Sequence, residues 1–485
     1  MLFVASSKGE CEVFKFELKK YGTNVRTEVI AGLATFVTMA YIIIVNQSIL
    51  SMTGIPAGAV ILATCIASAL GTLMMAIANV PYAQAPGMGL NAFFTFTVCF
   101  GLGFTWQQAL AMVFICGIIN LAITVTSIRK HIIASIPKSL QSAIGAGIGI
   151  FIAYIGIKNA NLLQFTSDPG TYQVLGDGNP LTSTIVAGAG AVPAMVSINT
   201  VPLILAVCSI ILMAVLMARE VPGAILISIV CSTFVGALFG LTSFDFSGYM
   251  AGLGDSFTEL GSVFGTSVLA IPSLFADPAK IVLVIATIFA FSLTDVFDTI
   301  GTFIGTGRST GIFSAKEIDN IASSKGFSTR LDKALLADAT ATSIGSLFGT
   351  SNVTTYVESA AGIAAGGRTG LTALTTAACF VLSIVFAPLV LAVPGWATAP
   401  ALIIVGVLMA APLKDINWSD LSEAIPAFFA ATMMAFFYSI SVGIACGFIF
   451  YCVTKIICGK AKDIHPVLAV VTLLFILNFV LLALI

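Results

Sequence analysis

The chain has 485 residues, 58% hydrophobic and 9% charged, with a formal net charge of −1, whereas a soluble domain carries about 25% charged residues. That composition excludes a water-soluble globular protein, and the balanced charge leaves no basic patch for nucleic acid. The cysteines mostly lie singly in apolar stretches (Cys65, Cys116, Cys208, Cys379) without metal-ligand spacing, and the two histidines, His131 and His465, fall in expected loops. No metal, no cofactor and no enzymatic centre are expected.

Residues 1–28 mix Lys8, Lys15, Lys19 and Lys20 with Glu10, Glu12 and Glu17 and lack a signal-peptide core. They read as a cytosolic tail. A membrane span needs about 20 apolar residues, and such stretches recur at 29–50, 57–78, 85–101, 105–127, 136–157, 201–218 and 221–241. These form a first repeat, 29–241. Residues 242–278 read as an extracellular linker. A second set follows at 281–306, 331–349, 351–366, 369–393, 398–411, 421–438 and 439–457, giving a second repeat, 279–457. The apolar segment 466–485, within a C-terminal stretch 458–485, reads as an additional pass.

The expected fold is therefore an all-α integral membrane protein of about fourteen passes, two sets of about seven. An odd number of passes per set inverts the second copy relative to the first, a common transporter plan. With the amino terminus cytosolic, all of the 21 basic residues except Lys158 and Lys280 fall inside, as lysine and arginine near span ends prefer. Arg129, Lys130 and Lys138 cluster in one inner loop, and Arg308, Lys316, Lys325, Arg330 and Lys333 in another. The external connections 159–200 and 242–278 hold no Lys or Arg, and the second carries Asp245, Asp255, Glu259 and Asp277. A single helix over 424–457 would move Lys460 and Lys462 outside, so this stretch is read as two passes.

The third and tenth passes are poor helices. Asn79-Val80-Pro81-Tyr82-Ala83-Gln84-Ala85-Pro86 contains two prolines and reads as extended before a helix opens at Gly87. Thr350-Ser351-Asn352-Val353-Thr354-Thr355-Tyr356-Val357 favours a strand through its β-branched residues, with a short helix after it. A strand plus half-helix can cross the membrane, which puts Glu358 at the junction near mid-depth, beside unpaired helix N–H groups. Irregular backbone at this depth survives only when buried in protein or lining a cavity, and matched interruptions in two halves point to a substrate site.

Charges inside spans are costly, and three acids stand out: Asp295, Asp298 and Glu358. The three-residue spacing places Asp295 and Asp298 on one helix face. No basic residue lies at a span centre to neutralise them, so each must be protonated, hydrated or ligand-bound during part of a cycle, which suits a proton-coupled carrier. Asp298 is read either as a working acid or as a carboxylate bonded within the fold. Asp338 is placed at the cytosolic end of its pass. Asn91 is either a packing amide or a ligand contact, and Phe93, Phe291 and Tyr356 are candidates to stack on a ring.

Three stretches carry a family resemblance: Ala85-Pro86-Gly87-Met88-Gly89-Leu90-Asn91-Ala92-Phe93-Phe94, Ser292-Leu293-Thr294-Asp295-Val296-Phe297-Asp298-Thr299-Ile300-Gly301-Thr302, and Thr350-Ser351-Asn352-Val353-Thr354-Thr355-Tyr356-Val357-Glu358-Ser359-Ala360-Ala361-Gly362. The sequence resembles the AzgA-like adenine, guanine and hypoxanthine permeases, a branch of the type-2 nucleobase:cation symporters. The resemblance implies fourteen passes in two inverted repeats, a core domain of passes one to four and eight to eleven, and a gate domain. It also implies transport of a purine nucleobase with protons across the cell membrane. It implies Asp295 and Glu358 as the residues that hydrogen-bond the purine, with Asn91 and Asp298 in or next to the site; Thr294, Ser359 and Gly87 are read as further substrate-binding candidates. Asp298 and Glu358 are the acids implied for proton coupling or next to the site. A homodimer is compatible with it. A uracil or xanthine permease of the same superfamily, or an anion transporter of the same fold, is the alternative. An ion channel is disfavoured by the lack of a repeated filter motif. The segment 466–485 exceeds the implied plan.

Overall fold

The computed structural model describes residues 16–126, 137–167, 172–175, 184–187, 191–243, 248–310, 312–313 and 329–484. His131, Arg129, Lys130, Asp245, Lys316 and Lys325 lie outside the described residues. In chain order the first elements are α1 (Val25–Met39), α2 (Tyr41–Leu50), α3 (Ala57–Ile77), β1 (Gln84–Pro86) and α4 (Met88–Ala92), which runs on as a π-helical stretch Phe93–Gly101. Next come α5 (Trp106–Val125), α6 (Lys138–Asn159), β2 (Leu163–Ser167), β3 (Tyr172–Leu175), β4 (Thr184–Ala187), β5 (Ala191–Met195), α7 (Val201–Ala218), α8 (Ala224–Leu238) and α9 (Tyr249–Val263). After two single-turn helices follow α10 (Ile281–Thr310), α11 (Arg330–Phe348), β6 (Val353–Thr355), α12 (Ser359–Ala364), α13 (Gly370–Ser383), α14 (Gly395–Met409), α15 (Leu421–Phe436), α16 (Ile440–Ile457) and α17 (Pro466–Leu484). Among the described residues, 7 helices are long and apolar enough to cross a membrane.

The chain forms two compact units, both discontinuous in sequence: Met1–Ile136, Leu253–Ala387 and His465–Ile485 make one, Pro137–Gly252 and Pro388–Ile464 the other. In the first unit, α11 packs on α5 and α3, α13 on α3 and α1, α12 on α1, and α10 on α5 and α17. The half-helix α12 comes so close to α1 that a Cβ on Gly362 would fall 2.0 Å from Thr35 Oγ1 and 2.5 Å from the Ala31 carbonyl. In the second unit, α14 and α15 pack on α6, and α7 packs on α14 and α8. Gly149 and Gly406 let α6 and α14 meet backbone to backbone, a Cβ on Gly406 falling 2.4 Å from the Gly149 carbonyl oxygen. Small residues set such contacts where lipid gives helices no hydrophobic reason to associate. The chain turns between α15 and α16 at Tyr438, which holds a left-handed φ of 52°.

Two connections differ from the sequence expectation. Residues 159–200, read as an external connection, contain the antiparallel strand pairs β2 with β5 and β3 with β4. The stretch read as a linker, 242–278, is largely helical. Its acidic residue Glu259, on α9, accepts a hydrogen bond from the Ala59 backbone N–H at 3.2 Å, so it serves one of the donors that the first turn of α3 leaves unpaired.

Candidate functional site

The first unit is organised around the two broken passes, which pair with each other. β1 and β6 run antiparallel, with Gln84 opposite Thr355, Ala85 opposite Thr354 and Pro86 opposite Val353. The ladder extends through Gly87 N–H to the Asn352 carbonyl (2.9 Å) and Tyr356 N–H to the Ala83 carbonyl (3.0 Å). The prolines prevent a helix at 79–86, and Val353, Thr354 and Thr355 favour extended backbone. Two short strands are marginal in water; these are buried and clasped by side chains. Thr72 Oγ1 accepts from Gln84 N–H (2.9 Å), Thr342 Oγ1 donates to the Val353 carbonyl (3.0 Å), and the Tyr356 hydroxyl donates to the Pro86 carbonyl (2.6 Å). The backbone groups that broken helices leave unpaired are thereby supplied with partners.

Asp338 is central to this clasp. Its Oδ1 accepts from Thr355 Oγ1 (2.7 Å) and Gln84 Nε2 (3.1 Å), and its Oδ2 from Thr299 Oγ1 (2.7 Å). One carboxylate thus ties β6, β1 and α10 to α11. Asp338, about two turns into α11, is buried where these strands meet the helix, so it is part of the fold's interior and not a solvated helix end.

Glu358 stands at the amino end of α12 as expected, and is half-buried. Its side chain does not cap that helix; Oε1 instead accepts a 2.7 Å hydrogen bond from the Tyr41 hydroxyl. Asp298 is exposed, lies close enough to Glu358 for the two charges to interact, and accepts from the Thr354 side chain.

Asp295 does not share that open face. It is 1% exposed and points into the contact of α10 with α5 and α11, where Oδ2 accepts from Asn120 Nδ2 (2.8 Å) and Thr342 Oγ1 (3.2 Å). Three residues is about 300° around a helix, so the two aspartates diverge by about 60°. At a crowded helix junction that is enough to bury one and leave the other accessible.

The remaining expected site residues are mostly engaged within the fold. Asn91 is fully buried and its Oδ1 accepts from the Ser351 hydroxyl. Ser359 Oγ accepts from the Ala83 N–H at 3.0 Å, and the Gly87 N–H is spent on the Asn352 carbonyl. Thr294 is buried with Oγ1 lacking a hydrogen-bond partner. Phe93 and Phe291 are buried against one another, ring centroids 4.6 Å apart, and Tyr356 is held by its hydroxyl. None of these three rings lies open beside the accessible acids. Among the described residues, no Lys or Arg forms an ion pair with Asp295, Asp298, Asp338 or Glu358. Sequence reasoning missed Tyr41, Gln84, Asn120 and Thr342. A lone amide inside an apolar span such as α5 was the available signal for Asn120, since a polar group there is costly unless it has a partner.

The transmembrane domain of the cyanobacterial bicarbonate transporter BicA superposes with a TM-score of 0.57 over 87% of this chain and 97% of that one, at 13% identity, which establishes the fold. Residues 26–445 match the Permease family, and the chain belongs to it. Similar relatives are the adenine permease AdeP of Escherichia coli, 40% identical over 96% of this chain and 95% of its own, and the guanine/hypoxanthine permease PbuO of Bacillus subtilis, 38% identical over 95% and 98%. The protein is thus a multi-pass membrane transporter, and its resemblance to the AzgA-like permeases holds along nearly the whole chain.

Proposed function

We propose that this permease carries purine nucleobases (adenine, guanine, hypoxanthine) into the cell in symport with protons, by alternating access of one site near mid-membrane. The permease names of its relatives support the substrate class. The observation that carries the reading is that Glu358, at the start of the half-helix in the second broken pass, and Asp298 of α10 lie close enough for their charges to interact, with neither, among the described residues, held by an ion pair. A neutral purine presents ring and exocyclic N–H donors, and carboxylates accept such bonds strongly and in a defined plane. An anion carrier would require positive charge or bare helix amino ends at the same place, so the acids argue against bicarbonate or sulfate as cargo. Asp295, buried behind this face without a cation, suits proton storage better than direct purine contact. The two halves are read as inverted repeats, with the amino terminus cytosolic.

The test is uptake of labelled adenine, guanine, hypoxanthine, uracil and sulfate by cells lacking their own carriers. Purine uptake that collapses with the proton gradient is expected; entry of only uracil or only sulfate would overturn the reading. Asp298→Asn and Glu358→Gln should each lower purine uptake about tenfold to a hundredfold, the size of a lost hydrogen bond to a charged group, with the amount of protein in the membrane unchanged.

A further inference from the structure

Asp295 is gripped on one oxygen only. Oδ2 takes Asn120 Nδ2 at 2.8 Å and, at 3.2 Å, only a share of the single Thr342 hydroxyl proton, which also reaches the Val353 carbonyl at 3.0 Å, whereas Oδ1 is buried with no hydrogen-bond partner. Asn120 is itself oriented: its Oδ1 accepts from the hydroxyl of Ser292, one turn back on the helix that carries Asp295. The amide is therefore set between a hydroxyl that donates to it and a carboxylate that can only accept while ionised. This unit, Ser292 to Asn120 to Asp295, is buried and forms no hydrogen bond with Glu358 or Asp298.

A carboxylate with one engaged oxygen and one bare one is chemically lopsided. The engaged oxygen is held by the fixed Asn120 donor, so a proton arriving there would have to displace it. The bare oxygen can take a proton without breaking anything. Donors on Oδ2 also stabilise the ionised form over the protonated one, which makes the grip a control on how readily the proton leaves. The other titratable groups around Asp295 are Asp338 from α11, Asp298 on its own helix and Cys116 from α5. The Asn352 side chain also stands beside it, with its Nδ2 on Cys116 Sγ at 3.4 Å.

We propose that Asn120 is a positioning residue for the coupling proton: oriented by Ser292, it occupies Oδ2 of Asp295 and so reserves Oδ1 as the oxygen that takes up and releases the proton. The assignment rests on the reading of the chain as a proton-coupled purine carrier. The step is a simple proton transfer to and from one carboxylate oxygen, with no other bond made or broken. Asn120 touches no substrate in this scheme and works only through Asp295.

The experiment is initial-rate purine uptake as a function of pH in proteoliposomes holding the full chain, for the wild type, Asn120→Ala, Asn120→Gln and Ser292→Ala. Loss of the Asn120 donor makes the ionised form harder to reach. The midpoint of the pH profile for Asn120→Ala should move to higher pH by about one unit, equivalent to a roughly tenfold change in proton affinity, with KM for the purine at a permissive pH altered less than twofold or so. Ser292→Ala, which removes one oxygen and so spares the packing, should move the midpoint in the same direction by less. Asn120→Gln should restore part of the shift. An unmoved midpoint in Asn120→Ala, or, should that variant not reach the membrane, in Ser292→Ala, overturns the proposal. So does a loss of rate through KM alone. Failure of the underlying reading looks different: wild-type uptake would then be absent or indifferent to the proton gradient before any substitution is made.

Discussion

At the scale of single residues, Asp338 shows how a carboxylate without a cation can be structural. Its three donors come from three segments distant in sequence, Gln84, Thr299 and Thr355, so removing the acceptor strands all of them in a buried place. Each unpaired buried polar group costs about 1–3 kcal/mol. Asp338→Ala should therefore lower the thermal midpoint of detergent-purified protein markedly, by well more than Asp298→Asn, whose carboxylate is exposed. Equal midpoints for the two variants would show that the clasp contributes little. Tyr41 gives a milder case. Its hydroxyl donates to Glu358 Oε1 (2.7 Å), and Tyr41→Phe keeps the ring while deleting that donor. Weaker purine affinity, by about tenfold, with unchanged thermal stability is expected in direct binding titrations, and unchanged affinity would separate Tyr41 from the substrate face.

At the scale of elements, the paired strands explain why some of the site was legible in the sequence and some was not. Two prolines five residues apart, Pro81 and Pro86, strongly disfavour a helix across 79–86, and the run Val353-Thr354-Thr355 is β-branched throughout, so both interruptions could be located from local chemistry. The lengths were less accurate. The extended reading of 350–357 shrinks to Val353–Thr355, since strand length is set by the partner β1, about which local sequence says nothing. The orientation of Asp295 was illegible for a related reason: spacing fixes an angle about the helix axis, but which side is buried depends on where α5 and α11 lie. Tyr41 and Thr342 belong to long apolar helices in which one hydroxyl gives no sign of its target. The half-helix α12 offers a sharp test of this level. Because a Cβ on Gly362 would collide with Thr35 Oγ1 and the Ala31 carbonyl, Gly362→Val must push α12 off α1 and carry Glu358 with it. Loss of uptake together with a reduced folded fraction in fluorescence size-exclusion profiles is expected. A well-folded, fully active Gly362→Val would mean that α12 has slack that the packing does not suggest.

At the scale of the whole molecule, helix α17 offers a test of the orientation of the chain in the membrane. It has 19 residues, about 28 Å of helix, close to the thickness of a hydrocarbon core of about 30 Å. It packs on α10 within the first unit, and Leu473, Ile476, Leu477 and Val480 are exposed on its surface, as a lipid-facing helix requires. Lys455, Lys460 and Lys462 precede it, and the positive-inside preference favours the cytosol for that flank. If α17 crosses, reporters on its two sides must disagree. Green fluorescent protein fused after Lys462 should fluoresce, while alkaline phosphatase fused after Ile485 should be active, because each reporter works on only one side of the membrane. Fluorescence at both junctions would lay α17 along the inner surface instead. Phosphatase activity at both would invert the orientation assigned to the entire chain, and with it the side from which the acids at Glu358 and Asp298 are loaded.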